Sequence, residues 1–269
     1  MRSLTGVLEP GGMPYLAFGD GPPLVALPGL DADGARLTGS AGWWQRRIFR
    51  RHAGSFTVYI VGRRPWLEPR TTISDLAGHY AMALRSEFAG PVAIQGISTG
   101  GSIAQRLAID HPDVVDRLVL ADTACRLSPR GRQAQQTMAR ELQAGRPRQA
   151  YAATGAMLGA SRIGARAMAS VMWILGPLMA SADPAGLLVT IAAEDSFDCT
   201  ADLPRIGAPT LMVVGERDAF YGLDLFRETA GGIPGARLYV VPRKGHGAGM
   251  TDRSAVREVL AFLTADRYG

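Results

Sequence analysis

The sequence predicts an α/β protein, a mostly parallel central sheet with helices on both faces, and three observations carry that expectation. Short apolar runs rich in Val, Ile and Leu recur along the chain, segments of helical periodicity separate most of them, and the alternation breaks once over a long helical stretch. Strands covered on both faces read as continuous apolar runs rather than as alternating ones, which is the pattern here.

The elements follow in order. Residues 24–27 form the first apolar run, and 43–52 read as a helix. A strand at 56–61 leads to a helix at 75–88, with Ser74 as its expected N-cap. The strand at 91–97 is followed by a helix at 101–110 that places Ile103, Ala104, Leu107 and Ala108 on one face, and then by a strand at 117–121. No strand is legible between there and residue 210, a gap too long for a simple loop. It is rich in Ala, Met and Arg, with helical periodicity over 133–144 and 165–174, and reads as an insertion over the sheet edge. Residues 198–209 return the chain to the core. Strands at 210–214 and 236–241 flank a short helix at 224–229, and a helix at 254–265 closes the chain with Val256, Val259, Leu260 and Leu263 at helical spacing.

Composition narrows the function classes. A chain of 269 residues, 47% hydrophobic and 20% charged, suits a soluble globular protein of one large or two small domains. The net charge of +5 and a pI of 9.6 raise the question of nucleic acid. The arginines, however, fall in short clusters (Arg46-Arg47, Arg50-Arg51, Arg63-Arg64, and Arg140, Arg146 and Arg148) with no run of five or more. Solvated faces are the expectation, with no nucleic-acid partner. Cys125 and Cys199 match no metal spacing, so neither a metal nor a disulfide framework is expected. The N-terminus lacks an apolar signal region, and the apolar stretch 169–182 is too short to span a bilayer and is broken by Gly176-Pro177. A cytoplasmic protein without a membrane partner is expected.

The chemistry concentrates at Gly96-Ile97-Ser98-Thr99-Gly100, which follows a strand and opens a helix. A serine on such a strand-to-helix turn projects its hydroxyl above the carboxyl ends of the strands, beside a positive helix end. A serine nucleophile needs a base. Of the four histidines, His52 and His79 lie within helical segments and His111 precedes a proline, whereas His246 sits in a Gly-flanked loop just after the last strand. The base in turn needs a carboxylate to fix its tautomer. Asp218 follows the strand at 210–214, giving the chain order Ser, Asp, His. Asp122, at the end of the strand at 117–121, is the rival. Backbone N–H donors for an oxyanion are expected from Thr99 and from Leu30, in Pro28-Gly29-Leu30. The alternative for the latter is an ordinary turn.

Together these residues resemble the α/β-hydrolase superfamily over nearly the whole chain. Residues 92–120, with Ser98-Thr99-Gly100-Gly101 and His111-Pro112, are similar to the nucleophile elbow of esterases, cofactor-free haloperoxidases and lactonases. Residues 206–218 resemble the strand and turn that bear the family's acid. The resemblance implies the family's fold and triad. It also implies a helical cap inserted after the sixth strand, here residues 126–206, over a core of 1–125 and 207–269. Two departures stand out. Pro28-Gly29 replaces a frequent His-Gly, and Gly62-Arg63-Arg64-Pro65-Trp66 replaces a frequent Asp and Gly-rich turn, which brings Trp66 or an arginine towards the pocket. The serine at the elbow disfavours the dehalogenase and epoxide-hydrolase branches.

The expected reaction is hydrolysis of a carboxylic ester of a hydrophobic small molecule through an acyl-enzyme, without a cofactor. Lactone, thioester, C–C bond and peracid chemistry use the same machinery, and a non-hydrolytic binding or biosynthetic protein is the rival from another class. The cap is apolar and Met-rich, and Met172 and Trp173 join Trp66 as candidate substrate contacts. The same residues would equally serve to glue cap to core. A monomer and a cap-mediated dimer are both compatible with the sequence.

Overall fold

A computed structural model describes residues 3–30, 37, 39–181 and 183–265. Eight strands form one sheet: β1 (Ser3–Leu8), β2 (Met13–Gly19), β3 (Pro23–Leu27), β4 (Thr57–Val61), β5 (Val92–Ile97), β6 (Val115–Ala121), β7 (Thr210–Gly215) and β8 (Arg237–Val241). Their order is β1-β2-β4-β3-β5-β6-β7-β8, with β2 antiparallel to both neighbours and every pair from β4 to β8 parallel. All six expected strands are present. The β1–β2 hairpin was not foreseen: β1 is an edge strand that leaves Leu4 and Val7 in solvent, so it lacks the continuous apolar run of a buried strand.

Alternation along the central strands divides the core in two. Val25 and Leu27 face one side, with α2 (Ile73–Glu87), α3 (Thr99–Asp110) and α8 (Leu223–Gly232) packed on it. Leu24 and Ala26 face the other, under α1 (Gly39–Phe49) and α10 (Arg253–Thr264), where Phe49, Val259, Phe262 and Leu263 are buried. The cap of α2 is Thr72 rather than Ser74. The Thr72 hydroxyl accepts from the Asp75 N–H, and Asp75 accepts from the Thr72 N–H at 2.8 Å, a reciprocal box that Ser74 cannot make from one turn inside.

Between β6 and β7 stand four helices where the periodicity suggested two: α4 (Pro129–Gln143), α5 (Pro147–Gly155), α6 (Arg162–Met179) and α7 (Ala185–Asp195). They bury a small core of their own around Met138, Tyr151, Leu187 and Ile191. The chain then returns beside β6, where the Cys199 N–H donates to the Cys125 carbonyl. Both cysteines are buried free thiols. A short helix, α9 (Ala248–Thr251), precedes α10. No helix among the described residues is long and apolar enough to cross a membrane.

Packing is tight where α3 begins. A Cβ on Gly96 would lie 2.6 Å from the Ala104 Cβ, and one on Gly100 would overlap the carbonyl groups of Leu27 and Pro28. Backbone cannot move aside as a flexible side chain can, so Gly100→Ala should destabilise by more than about 3 kcal/mol. Gly90→Ala, whose Cβ would meet nothing within 4 Å, should stay within about 0.5 kcal/mol. Urea midpoints of the two variants check this, and a wild-type midpoint for Gly100→Ala would contradict it.

Candidate active site

Ser98 joins β5 to α3 at φ 50° and ψ −122°. A non-glycine residue there stores on the order of 1–3 kcal/mol of strain and persists only where its surroundings impose it. The Ser98 N–H donates to the Ala121 carbonyl at 3.0 Å, and the Ser98 carbonyl accepts from the Gly101 N–H at 2.7 Å, so backbone bonds clamp the residue on both sides. The hydroxyl is left at the floor of a cavity of about 290 Å³.

Asp218 and His246 come from the turns after β7 and β8. His246 Nδ1 lies 2.7 Å from Asp218 Oδ2. Asp218 Oδ1 accepts the N–H groups of Phe220 and Tyr221 at 2.8 and 3.2 Å, so the carboxylate is held by its own turn and aimed at the imidazole. The ring packs against Phe220, centroids 4.6 Å apart, and shares the cavity wall with Ser98. Burial alone would push the imidazole pKa down. The Asp218 charge and hydrogen bond, with smaller contributions from Asp122 and Glu194, outweigh it and raise the value above 6.5.

Asp122 does not bond His246. Its carboxylate accepts from the N–H groups of Gly215 and Gly249, at 3.1 and 2.8 Å, and so ties the end of β7 to the loop that carries the histidine. Complete burial, together with the nearby Asp218 charge, raises its pKa to about 7 against the pull of His246 and the two amides. The other histidines lie elsewhere. His52 is buried against Phe49 with its pKa lowered to about 4 by desolvation, His79 meets Arg64 at 3.2 Å, and His111 lies 3.5 Å from Arg85.

Leu30 lines the cavity beside Ser98, and Thr99 opens α3. The Gly62–Trp66 segment sends in an arginine rather than the tryptophan. Arg63 is buried and donates to the Pro28 and Gly29 carbonyls at 3.1–3.4 Å, pinning the loop that carries Leu30. Trp66 is 81% exposed and borders a separate surface depression with Arg64 and His79. Of the three expected substrate contacts, only Met172 lines the Ser98 cavity. Trp173, the next residue on α6, turns outward, where the Arg148 guanidinium sits 4.5 Å from its ring centroid.

Sequence reasoning missed Glu194. This α7 carboxylate is fully buried and accepts from Thr99 Oγ1 at 2.6 Å, Gln135 Nε2 at 2.9 Å, and Ser102 Oγ and the Tyr221 hydroxyl at 3.3 Å each. The Tyr221 phenol in turn lies beside the Ser98 and Thr123 hydroxyls, and burial, with Glu194 and Asp218 nearby, drives its pKa well above 10. No motif marks this glutamate. Its only signal is an acid at the end of an otherwise apolar helix.

The comparisons with known proteins agree with this architecture. Residues 62–247 match the family model described as serine aminopeptidase, S33. The chain belongs to that family, within the α/β-hydrolase superfamily, and is an α/β-hydrolase enzyme. A pimeloyl-[acyl-carrier protein] methyl ester esterase of Chromobacterium violaceum is 29% identical over 85% of this chain and 89% of its own length. Among solved structures, a hydrolase from Pseudomonas aeruginosa is 25% identical with a TM-score of 0.76, covering 98% of this chain and 99% of that one. An enol-lactonase from Burkholderia xenovorans shares the fold at 20% identity, also with a TM-score of 0.76, over 97% and 100% of the two chains.

Removing Glu194 leaves four buried donors without their acceptor, each such loss costing about 1–3 kcal/mol if no water replaces it. Glu194→Ala should therefore lower Tm by about 10 °C, at roughly 2–4 °C per kcal/mol for a protein of this size. Glu194→Gln, which keeps the shape and one acceptor oxygen, should recover part of that loss. Differential scanning calorimetry distinguishes these outcomes from an inert surface acid, which would leave Tm unchanged in both.

Proposed function

We propose that this protein is a serine esterase that cleaves carboxylic esters of hydrophobic small molecules, with Ser98 as nucleophile, His246 as general base and Asp218 as the acid that orients it. The observation that carries the reading is a strained serine and an Asp-paired imidazole on one wall of a cavity with no charged side chain among its described lining residues apart from His246. The methyl ester esterase similar to this chain supports the same bond type.

Asp218 holds the Nδ1 proton, so Nε2 is the basic nitrogen. Nε2 takes the Ser98 proton as Oγ attacks the substrate carbonyl carbon. The oxyanion is met by the N–H of Thr99, one of the four first-turn amides that no intrahelical carbonyl uses, and by that of Leu30. Arg63 supports the second assignment: by holding the Gly29 carbonyl it fixes the Gly29–Leu30 peptide plane, whose N–H points opposite to its C=O. The imidazolium then protonates the leaving alkoxide. A water activated by the same nitrogen attacks the acyl-enzyme, which releases the acid and restores Ser98.

The four helices of residues 126–206 act as a cap over a core of residues 1–125 and 207–269. Met138, Met172 and Met179 line the cavity from the cap side, a surface that adapts to aliphatic chains. The substrate's apolar part lies there, beneath α6.

A fluorophosphonate probe should add once to the wild type, with the adduct mapping to Ser98, and not to Ser98→Ala. Across p-nitrophenyl esters of increasing chain length, kcat/KM should pass through a maximum. A folded protein that takes no probe would overturn the reading, and indifference to chain length would remove the acyl pocket.

The pH dependence has a definite sign. His246 must be neutral to act, so kcat/KM should rise with pH through a midpoint above 6.5. Asp218→Asn removes the charge that favours the imidazolium. The midpoint should then move down while the plateau falls by a factor on the order of 10⁴, as when a triad acid becomes an amide.

A further inference from the structure

Beside the Ser98 cavity lies a second concavity of about 280 Å³, lined by Arg47, Arg50, Arg51 and Arg253. Arg51 and Arg253 continue into a third depression that Arg257 also borders. Five guanidinium groups thus converge from two elements, the end of α1 and the first turns of α10. None has a carboxylate partner among the described residues.

Several arginines elsewhere on the surface are paired with acids. Arg85 pairs with Asp113, Arg106 with Asp110 and Asp202, Arg126 with Glu228, and Arg146 with Glu141, at 2.5–2.7 Å. The nearest acid in sequence, Asp252, is committed to capping α10, where it accepts the Ser254 N–H and hydroxyl at 2.8 and 2.6 Å. The first turn of α10 holds no acidic residue. Arg47 at the end of α1 and Arg50 and Arg51 in the turn after it line one concavity, and like charges so close repel, so in isolation the arrangement is unfavourable.

The two cavities are neighbours. Trp44, Ile48 and Met250 line both, so one thin apolar wall separates the guanidinium cluster from the pocket that holds Ser98 and His246. We propose that this arginine-lined groove is a binding site for a phosphate-type anion that anchors the distal end of the ester substrate. Guanidinium forks suit phosphate oxygens because they donate two parallel hydrogen bonds. The apolar segment of such a substrate crosses Trp44 and places its ester at Ser98. The anchoring role rests on the esterase reading above, whereas the affinity for the anion does not. A phosphate group reaches the groove either on a soluble substrate or as a lipid headgroup.

The test is a charge reversal, Arg50→Glu with Arg253→Glu. Both residues are exposed, and the change relieves repulsion, so Tm should not fall. Calorimetric titration at low ionic strength with inorganic phosphate and with hexyl phosphate should show saturable binding to wild type, weakened by 0.15 M salt because exposed charges are then screened beyond about 8 Å, and lost in the variant. In kinetics, the preference for a butyrate ester with a terminal phosphate over its neutral counterpart should fall at least tenfold in the variant. Co-sedimentation with phosphatidylglycerol but not phosphatidylcholine vesicles, abolished by the charge reversal, would assign the phosphate to a lipid headgroup. Binding of the soluble phosphates without sedimentation would assign it to a soluble substrate. No phosphate binding, with an unaltered preference between the two esters, would overturn the proposal. If wild type hydrolyses neither ester, the esterase reading fails while the titration still decides the anion site.

Discussion

The close approach of α3 to the end of β3 governs the rest of the site. Ser98 holds its strained backbone because α3 starts almost in contact with the Leu27 and Pro28 carbonyls, and only a glycine at position 100 permits that distance. Gly96 lets the strand pass Ala104, and Gly101 lies where any side chain would meet Thr123. The strain is thus offset by packing over several residues rather than by one bond. The same approach brings Pro28-Gly29-Leu30 beside Ser98, where Arg63 fixes its carbonyls. The proposed nucleophile and oxyanion loop are therefore positioned by one contact, and neither can shift without the other.

Around that contact the electrostatics are unusual for so apolar a protein. Asp122, Asp218 and Glu194 are all buried within reach of one imidazole. Three carboxylates in low dielectric cannot all ionise cheaply, and the structure treats each differently. Asp218 has His246 and two amides as partners. Asp122 has two amides and no cation in contact, and its pKa rises to about 7. Glu194 has four neutral donors and lies at the N-terminal end of α3, where the helix dipole favours negative charge. Through Thr99 and Ser102 it also binds α7 to the turn that bears Ser98. The inserted helices are thereby coupled to that serine's turn by hydrogen bonds rather than only by apolar contact.

How much of this was legible in the sequence follows from the range of each determinant. The central strands were readable because burial on both faces writes a continuous apolar run, whereas β1 was not, since an edge strand leaves Leu4 and Val7 in water, and β2, with Pro14 and Gly19 within its bounds, carries no such run. Ser98, Asp218 and His246 were readable because each follows a strand, and a parallel sheet brings all strand ends to one edge. The choice between Asp218 and Asp122 needed three dimensions: both end strands, but only Asp218 has its turn directed at the imidazole. In Gly62-Arg63-Arg64-Pro65-Trp66 the departure from the family's frequent turn pointed to Trp66 or an arginine as turning inward. That it is Arg63 and not Trp66 depends on two free carbonyls 34 and 35 residues away. Glu194 was illegible for the same reason, because its donors come from α3, α4 and the turn after β7.

The resulting distribution of charge has a direction. Carboxylates gather behind His246, a cavity whose described lining is otherwise uncharged lies in front of it, and arginines without a carboxylate partner among the described residues stand beyond Trp44. In the reaction we propose, the imidazole becomes a cation as the substrate oxygen becomes an anion. The buried acids stabilise the first, and the amides at the start of α3 stabilise the second. A wholly acidic environment would also repel an anionic substrate. Placing the arginines outside the cavity, rather than in its wall, avoids pairing them with Asp218 or Glu194, which would remove the charge that the imidazolium requires. The apolar wall at Trp44, Ile48 and Met250 is therefore an electrostatic insulator as much as a packing surface. It allows a basic groove and a base stabilised by acids to sit side by side without neutralising one another.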